Sequence, residues 1–236
     1  MKQLLMLKYF INTIFLLSCT VCFSQEMATQ EQDTIIKEKY GLRVGVDLYN
    51  PVQTFFNEDR KGLELVGDYR VSKKFYVAAE LGYLENTTEE DYLNFTTNGS
   101  YLKAGFDYNS YTNWLDMQNA IYVGMRYGFS TFSQTLNSFT INNDPFLDGI
   151  AISQNGEKFD GLNAHWVEFV LGMKAELFNN LFLGFSFRGK KMISTKDPEN
   201  FKNLFVPGFN RVFLNNSGFG FNYTLSYLIP LYKKKK

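Results

Sequence analysis

The chain has 236 residues, enough for one domain with a sizeable core, and 17% of them are aromatic, a high share for an ordinary soluble protein. Its 24 basic and 24 acidic residues balance, so the net charge favours neither nucleic acid nor an anionic membrane surface as a partner. The two cysteines, Cys19 and Cys22, lie near the N-terminus.

Residues 1–24 have the three-part pattern of a cleaved signal peptide. Two lysines form the positive region, an apolar run extends from Tyr9 to Leu17, and the small residue Ser24 precedes the predicted cut. The run is shorter than the ~20 apolar residues of a membrane-spanning helix. Cleavage leaves 22 basic residues, 24 acidic residues and no cysteine for a disulfide or thiolate site. Residues 16–19 also resemble a lipoprotein box, so lipidation of Cys19 is an alternative.

From Tyr40 onward, apolar and polar residues alternate with the period of two that β-strands show. In the first run, Tyr40, Leu42 and Val44 share one face and Arg43 lies on the other. The pattern recurs seven times, and the eight runs cover residues 40–48, 63–71, 75–83, 102–108, 121–129, 167–177, 181–187 and 219–229. Runs of about ten residues in an even number predict an all-β fold, an eight-stranded antiparallel transmembrane β-barrel.

The glycines indicate which face of each strand points inward. A soluble ligand-carrying barrel would place the apolar face inside, but the glycines lie on the polar face, where a water-exposed position would only weaken the strands. They are Gly41, Gly45, Gly82, Gly105, Gly124, Gly128, Gly172, Gly184, Gly218 and Gly220. Inside a narrow barrel they leave room for long side chains. The apolar face also carries too many phenylalanines for an eight-stranded interior, so we expect it to face lipid.

Long and short connections alternate along the chain. The long ones are residues 49–61, 85–100, 130–163 and 189–217, and the tight ones are 72–74 and 178–180. In an outer-membrane barrel the long set lies outside and the short set in the periplasm, with both chain termini. The connection 109–119 is longer than this pattern predicts. Residues 25–39 are expected to form a periplasmic linker, residues 40–232 the barrel, and residues 233–236 a basic tail after Pro230 ends the last strand.

The pattern, with short stretches such as Tyr122–Gly128, resembles the small eight-stranded outer-membrane barrels typified by the OmpA transmembrane domain and OmpX. It is most similar to an outer-membrane barrel family of unknown function from Bacteroidota, over Tyr40–Ile229. The resemblance implies a Gram-negative outer-membrane location, contact with lipid and lipopolysaccharide, and insertion by the barrel-assembly machinery. We expect a monomer. Architecture of this kind says almost nothing about activity or a surface partner.

Charged side chains on the inward face form a nearly balanced set. They are Arg43, Asp47, Glu64, Asp68, Arg70, Glu80, Lys103, Asp107, Arg126, Glu168, Lys174, Glu176 and Arg188. Because an unpaired charge in a confined interior is costly, we expect them to pair with one another. Such a set favours a structural plug, with a small gated channel as the alternative.

His165 is the single histidine and lies at the predicted outer rim of the sixth run. A barrel-type deacylase acting on outer-leaflet lipid would place a histidine there, but Val167 stands where such an enzyme, by resemblance, carries its serine. The main prediction is therefore a non-enzymatic barrel without a cofactor, and lipid modification through His165 is the alternative. Residues 142–148 are acidic, but Pro145 and the missing glutamate do not fit a calcium loop.

The longest connection, Ser130–Asn163, is the predicted contact surface for a partner, because it carries apolar residues that no lipid would cover. They are Phe132, Phe139, Ile141, Phe146, Leu147, Ile150 and Ile152. The alternative is that residues 135–140 and 149–153 extend the flanking strands as a self-packed β-ribbon. The sequence thus predicts a role in envelope integrity or surface interaction through external loops.

Overall fold

The computed structural model describes residues 37–90, 93–113, 117–141, 150–198 and 202–235, so the predicted signal peptide lies outside the described residues. Within these ranges the chain forms the strands β1 (Lys37–Asp47), β2 (Arg60–Arg70), β3 (Phe75–Glu90), β4 (Leu93–Asn109), β5 (Ala120–Ile141), β6 (Ile150–Phe178), β7 (Leu181–Thr195), β8 (Phe205–Val206), β9 (Asn210–Arg211) and β10 (Ser217–Lys235). One helix, α1, spans Tyr49–Phe56, and a 3-10 turn spans Leu214–Asn216.

Eight long antiparallel strands close into a barrel in the order β1-β10-β7-β6-β5-β4-β3-β2. This architecture confirms the predicted all-β class and strand number. Over residues 75–84 of β3 the side chains alternate strictly: Phe75, Val77 and Leu81 are exposed on the exterior, whereas Tyr76 and Glu80 are buried in the interior. No helix among the described residues is both long and apolar enough to cross a lipid bilayer.

The two ends of the barrel differ. At the turn end, tight turns join β2 to β3 and β6 to β7, the second with Asn180 at φ 67°. At the ribbon end, β3 and β4 stay paired up to Glu90 and Leu93, and β5 and β6 up to Ile141 and Ile150. The predicted long connections 85–100 and 130–163 are therefore mostly paired strand. Their arms continue the β-prone pattern, so pairing propagates beyond the predicted strand ends.

The pairing of the first and last barrel strands differs from the prediction because β10 contains a bulge. Tyr40 pairs with Tyr232 but Gly41 pairs with Pro230, so Leu231 is an extra residue in β10. Pro230 therefore does not end the strand: proline has no N–H for the ladder, and a bulge is where that loss is tolerated. Lys233, Lys234 and Lys235 continue β10 against β1, which begins at Lys37 rather than Tyr40. Tyr40 is buried, not on the exterior face.

Asparagine side chains hold the connection 109–119 together. Asn109 Oδ1 accepts from the backbone N–H groups of Tyr111 and Ile121, at 3.1 and 3.2 Å. Asn113 and Asn119 exchange two hydrogen bonds of 2.8 and 2.9 Å. Side-chain amides thus replace the backbone bonds of a tight turn, which is why a longer segment is accommodated at this end.

The wall of the barrel has a notch at the ribbon end, beside β1. β1 pairs with β10 only as far as Asp47 opposite Thr224, and with β2 only as far as Val46 opposite Leu65. β10 and β2 both extend further, to Ser217 and Arg60. We call the resulting gap between residues 217–223 and 60–64 the wall notch. Helix α1, which the sequence pattern did not predict within 49–61, begins there: Leu48 N–H donates to Tyr223 O at 2.6 Å.

Candidate functional site

The structure places the thirteen predicted interior charges inside the barrel. Eleven of them are buried as whole residues, and only small fractions of the Lys174 and Glu176 side chains, 12% and 8%, are exposed. Strand alternation accounts for this placement, because each of these residues shares the inward face of its strand. The candidate site is therefore the barrel interior itself.

Glu80 of β3 is the centre of the interior network. It accepts hydrogen bonds from Lys103 at 3.0 Å, from Arg126 Nε at 3.4 Å, and from Arg188 at 2.5 and 3.0 Å. Arg126 also contacts both carboxylate oxygens of Asp107, at 2.7 and 2.9 Å. One carboxylate thus links β3, β4, β5 and β7 across the lumen.

Two further carboxylates lie closer to the ribbon end. Glu64 accepts from Lys103 at 3.0 Å, from the Tyr101 hydroxyl at 2.6 Å and from Asn222 Nδ2 at 3.1 Å. Glu168 accepts from Arg188 at 3.1 Å and from Trp166 Nε1 at 2.8 Å. Neutral donors therefore add hydrogen bonds to those of the cations at both carboxylates, which lowers the cost of burying them.

Towards the turn end the pairing differs in part from the prediction. Asp68 contacts Arg43 at 2.8 Å and Lys174 at 2.5 Å, as expected of interior charges. Arg70, however, contacts Glu38 at 2.7 Å, a residue assigned to the linker from sequence. Glu176 accepts from the backbone N–H groups of Gln118 and Asn180 and lies 3.9 Å from Lys39, another linker residue.

Asp47 is the other exception, because its hydrogen bonds are with neutral groups. Its carboxylate accepts from the Tyr223 N–H at 3.2 Å and from the backbone and side-chain nitrogens of Asn50 at 3.4 and 3.3 Å. It therefore fixes the start of α1 against β10 instead of joining the charge network.

Little space remains between the charges. A cavity of about 20 Å³ is lined by Arg43, Asp68, Glu80, Arg126 and Arg188, among others. That volume holds about one water molecule. At this level the lumen has no room for a solute.

Between the charge network and the ribbon end, the interior becomes apolar and is closed by a short hairpin. The plug hairpin, Phe205–Arg211, consists of β8 and β9 joined through Pro207 and Gly208. Val206 and Phe209 are fully buried, and the Phe209 ring meets Trp166 edge-on with centroids 5.9 Å apart. Gly208 has φ +83°, and a Cβ there would lie 2.6 Å from the Tyr101 ring, so glycine is required. The surrounding cluster contains Leu84, Phe95, Tyr101, Phe132, Leu162, Ala164, Trp166 and Met192.

Two cations hold the plug hairpin. Buried Lys190 Nζ donates to the carbonyl oxygens of Gly208 and Phe209, at 2.9 and 3.2 Å, and lies 3.7 Å from Glu168. Arg60 Nη2 donates to Asn210 Oδ1 and to Asn50 Oδ1 of α1, both at 3.2 Å. The plug hairpin is thus tied to the charge network below it and to α1 beside it.

Sequence reasoning missed Lys190 and the plug hairpin, although the sequence contains an indication of each. Lys190 continues the inward parity of Ser186 and Arg188, because β7 extends to Thr195. The plug hairpin has a Pro-Gly pair between apolar residues, a local turn signal. What the sequence does not indicate is that this turn folds back into the barrel mouth.

The predicted contact loop is divided by the structure. Phe132 is buried in the apolar cluster under the plug hairpin, so its assignment as a contact residue is wrong, because strand alternation continues through it and turns it inward. Half-buried Phe139 lies opposite Ile152, and Ile141 opposite Ile150, in the β5–β6 ribbon. Phe146 and Leu147 lie outside the described residues. Residues 138–141 and 150–153 therefore pair as the β-ribbon that the sequence analysis gave as its alternative.

His165 lies among aromatic side chains on the exterior face. Its Nδ1 is 2.7 Å from the Tyr127 hydroxyl, and its ring centroid is 4.8 Å from that of Phe129. Ser194 is its cross-strand neighbour on β7, a pairing that sequence reasoning missed. An acyl hydrolase needs an imidazole oriented towards its nucleophile. Here the Nδ1 hydrogen bond is made with the phenol of Tyr127. His165 is therefore part of an aromatic cluster at the rim.

The described residues contain no cluster of three or more His, Cys, Asp or Glu side chains suited to a metal ion. The whole acidic stretch 142–148, whose residues do not fit a calcium loop, lies outside the described residues.

Comparisons with known proteins give one family and one solved structure. A family model described as Domain of unknown function (DUF6048) matches residues 6–234. The crystal structure of Ail, the attachment invasion locus protein of Yersinia pestis, aligns with 81% of this chain and 98% of its own, at 8% identity and a TM-score of 0.39. That similarity is too low to transfer a function. No curated protein matches the chain.

Proposed function

We propose that this chain, which belongs to the DUF6048 family, spans the outer membrane of a Gram-negative bacterium as a non-enzymatic barrel. In this proposal it is a monomer that supports the envelope or contacts a surface partner through its ribbon end. The turn end and both termini face the periplasm, and the ribbon end faces outside, as long connections do in barrels of this kind.

The observation that carries the proposal is the inverted polarity of the barrel. Exterior side chains such as Phe75, Leu102, Met125 and Phe221 are each about half exposed around the whole wall, while the charges are inside. Soluble monomers rarely expose contiguous apolar patches larger than a few hundred Å². A bilayer covers such a surface, and a closed barrel leaves no strand edge to be satisfied by lipid.

The filled interior supports an envelope role over transport. Glu80 and its three cations cross the lumen, the cavity between these charges is water-sized, and the plug hairpin packs into the ribbon-end mouth. Conduction would require separating buried ion pairs, each of which leaves an uncompensated charge when broken.

The test combines location, folding and conductance. The protein should fractionate with outer membranes, begin at Gln25 by N-terminal mass spectrometry, migrate differently before and after boiling, and conduct no ions in a planar bilayer. Recovery in the soluble periplasm would refute the membrane assignment, stable porin-size channels would refute the sealed lumen, and an acylated Cys19 would refute the predicted cut.

The β5–β6 ribbon is the proposed contact surface. We would replace residues 136–157 with a short Gly-Ser turn, leaving Phe132 and its inner packing in place. The barrel should remain heat-modifiable while adhesion or partner cross-linking is lost. A matched Gly-Ser replacement of residues 89–92 at the tip of the β3–β4 ribbon, which leaves the buried Phe95 in place, is the control. Normal adhesion after the first deletion would assign that ribbon to self-packing only.

A further inference from the structure

Helix α1 has two opposite faces, and only one of them is satisfied by the barrel. On the inner face, Asn50 is buried against Asp47, and Thr54 Oγ1 accepts from the Gly62 N–H of β2 at 3.0 Å. At about 100° per residue, Val52, Phe55 and Phe56 lie on the opposite side of the helix. Their exposed fractions are 51%, 84% and 81%.

The position of α1 turns that outer face sideways rather than towards the mouth. The helix starts beside Tyr223 of β10 and contacts Gly62 of β2, so it lies across the wall notch. The inner face is directed at the mouth. There Arg60 donates hydrogen bonds both to Asn50 of α1 and to Asn210 of the plug hairpin. The outer face therefore continues the exterior surface of the barrel wall.

The exterior surface on both sides of the wall notch is apolar. Phe219, Phe221 and Tyr223 are about half exposed on the β10 side, and Leu63 on the β2 side. The exposed ion pair between Lys61 and Glu85, 3.6 Å apart, marks where polar exterior groups begin. The apolar face of α1, formed by Val52, Phe55 and Phe56, therefore lies at the wall notch. There it joins the apolar belt of β10 to that of β2, just below the first exterior charges.

We propose that α1 closes the wall notch as an interfacial helix, with Val52, Phe55 and Phe56 inserted among the acyl chains of the outer leaflet. This inference rests on the proposed function, since it requires the belt to lie in a bilayer. Lipid is the occupant that the geometry favours, because the same lipid that covers Phe221 and Leu63 reaches the helix without a second binding partner. The helix is then held from two sides, by Thr54 and Asn50 inside and by lipid outside.

Spin-label accessibility in phosphatidylcholine vesicles tests the insertion. The full chain with Cys19→Ser and Cys22→Ser would carry one nitroxide label at Phe55→Cys or Phe56→Cys. The belt control is Phe187→Cys and the water control is Glu157→Cys, on the exposed arm of the β5–β6 ribbon. Both α1 labels should show a several-fold higher ratio of oxygen to Ni-EDDA collision rates than Glu157→Cys, at a shallower depth than Phe187→Cys.

The outcomes separate this inference from the proposed function. A lipid-exposed label at Phe187→Cys with water-exposed labels on α1 would overturn the inference and leave the barrel assignment intact. Labels on α1 that neither reagent reaches would also overturn it, in favour of a protein contact. A water-exposed label at Phe187→Cys would refute the membrane span itself.

A second variant tests whether lipid holds the helix in place. With Phe55→Ser and Phe56→Ser together, hydrogen exchange at the Gly62 amide should accelerate several-fold in vesicles, because its acceptor Thr54 lies on the loosened helix. The belt variant Leu171→Ser should leave Gly62 exchange unchanged. Unaltered Gly62 exchange in the double variant would overturn the anchoring.

Discussion

Replacing Arg126 by leucine removes the cation that contacts both carboxylate oxygens of Asp107, at 2.7 and 2.9 Å. Both side chains are almost fully buried, 3% and 4% exposed, so water cannot take the place of the guanidinium. Glu80, the other carboxylate that Arg126 contacts, keeps Lys103 and Arg188. The loss is therefore concentrated on Asp107.

The expected destabilisation is about 3–5 kcal/mol, the range for breaking a buried ion pair by removing one partner. The matched control is Lys61→Ala, which removes an exterior pair with Glu85 whose side chains are 64% and 34% exposed. That variant should lose at most about 1 kcal/mol. Adding Asp107→Asn to Arg126→Leu should recover most of the loss, because the unpaired charge is then gone.

Urea titration of vesicle-inserted protein measures these differences. The folded fraction is read from the heat-shifted gel band and from the fluorescence of Trp166, whose Nε1 donates a hydrogen bond to Glu168 in the network. The reasoning would be refuted if Arg126→Leu shifted the unfolding midpoint no more than Lys61→Ala does. It would also fail if the Asp107→Asn addition produced no recovery, since coupled sites must deviate from additivity.

Three further predictions concern the plug hairpin, the packed interior and the rim. Lys190→Met should raise protease cleavage within the plug hairpin while the barrel stays heat-modifiable, because two carbonyl oxygens lose their donor; unchanged cleavage would mean that apolar packing alone holds it. Gly128→Ala should cost about 1–3 kcal/mol by urea titration, since a Cβ there would lie 2.1 Å from Trp166, whereas Gly189→Ala, with nothing within 4 Å, should change stability by less than about 0.5 kcal/mol. His165→Ala should leave the mass spectrum of the lipopolysaccharide lipid anchor unaltered, and a changed acylation pattern would instead support the enzyme alternative.

The sequence by itself determined the strand number, the inward and outward faces, and thirteen of the charges that lie inside. These properties follow from a period of two that is local to each strand, so no knowledge of neighbouring strands is needed. Where the local rule is broken, the sequence prediction fails. Tyr40 turns inward because Leu231, on a strand nearly two hundred residues away in the chain, forms the extra residue of a bulge, and no pattern around Tyr40 indicates it.

Only the tertiary structure decided which charges pair and what fills the mouth. Pairing across the lumen depends on strand tilt and stagger, which bring Glu80 to Arg188 and Asp68 to Lys174. The plug hairpin folds inward because Tyr101, Phe132 and Trp166 create an apolar surface that exists only once the ring is closed. Likewise α1 has a place to lie only because β1 ends before β10 and β2 do. Each of these features is a contact between segments far apart in the chain, and such contacts are fixed by closure of the barrel rather than by local residue patterns.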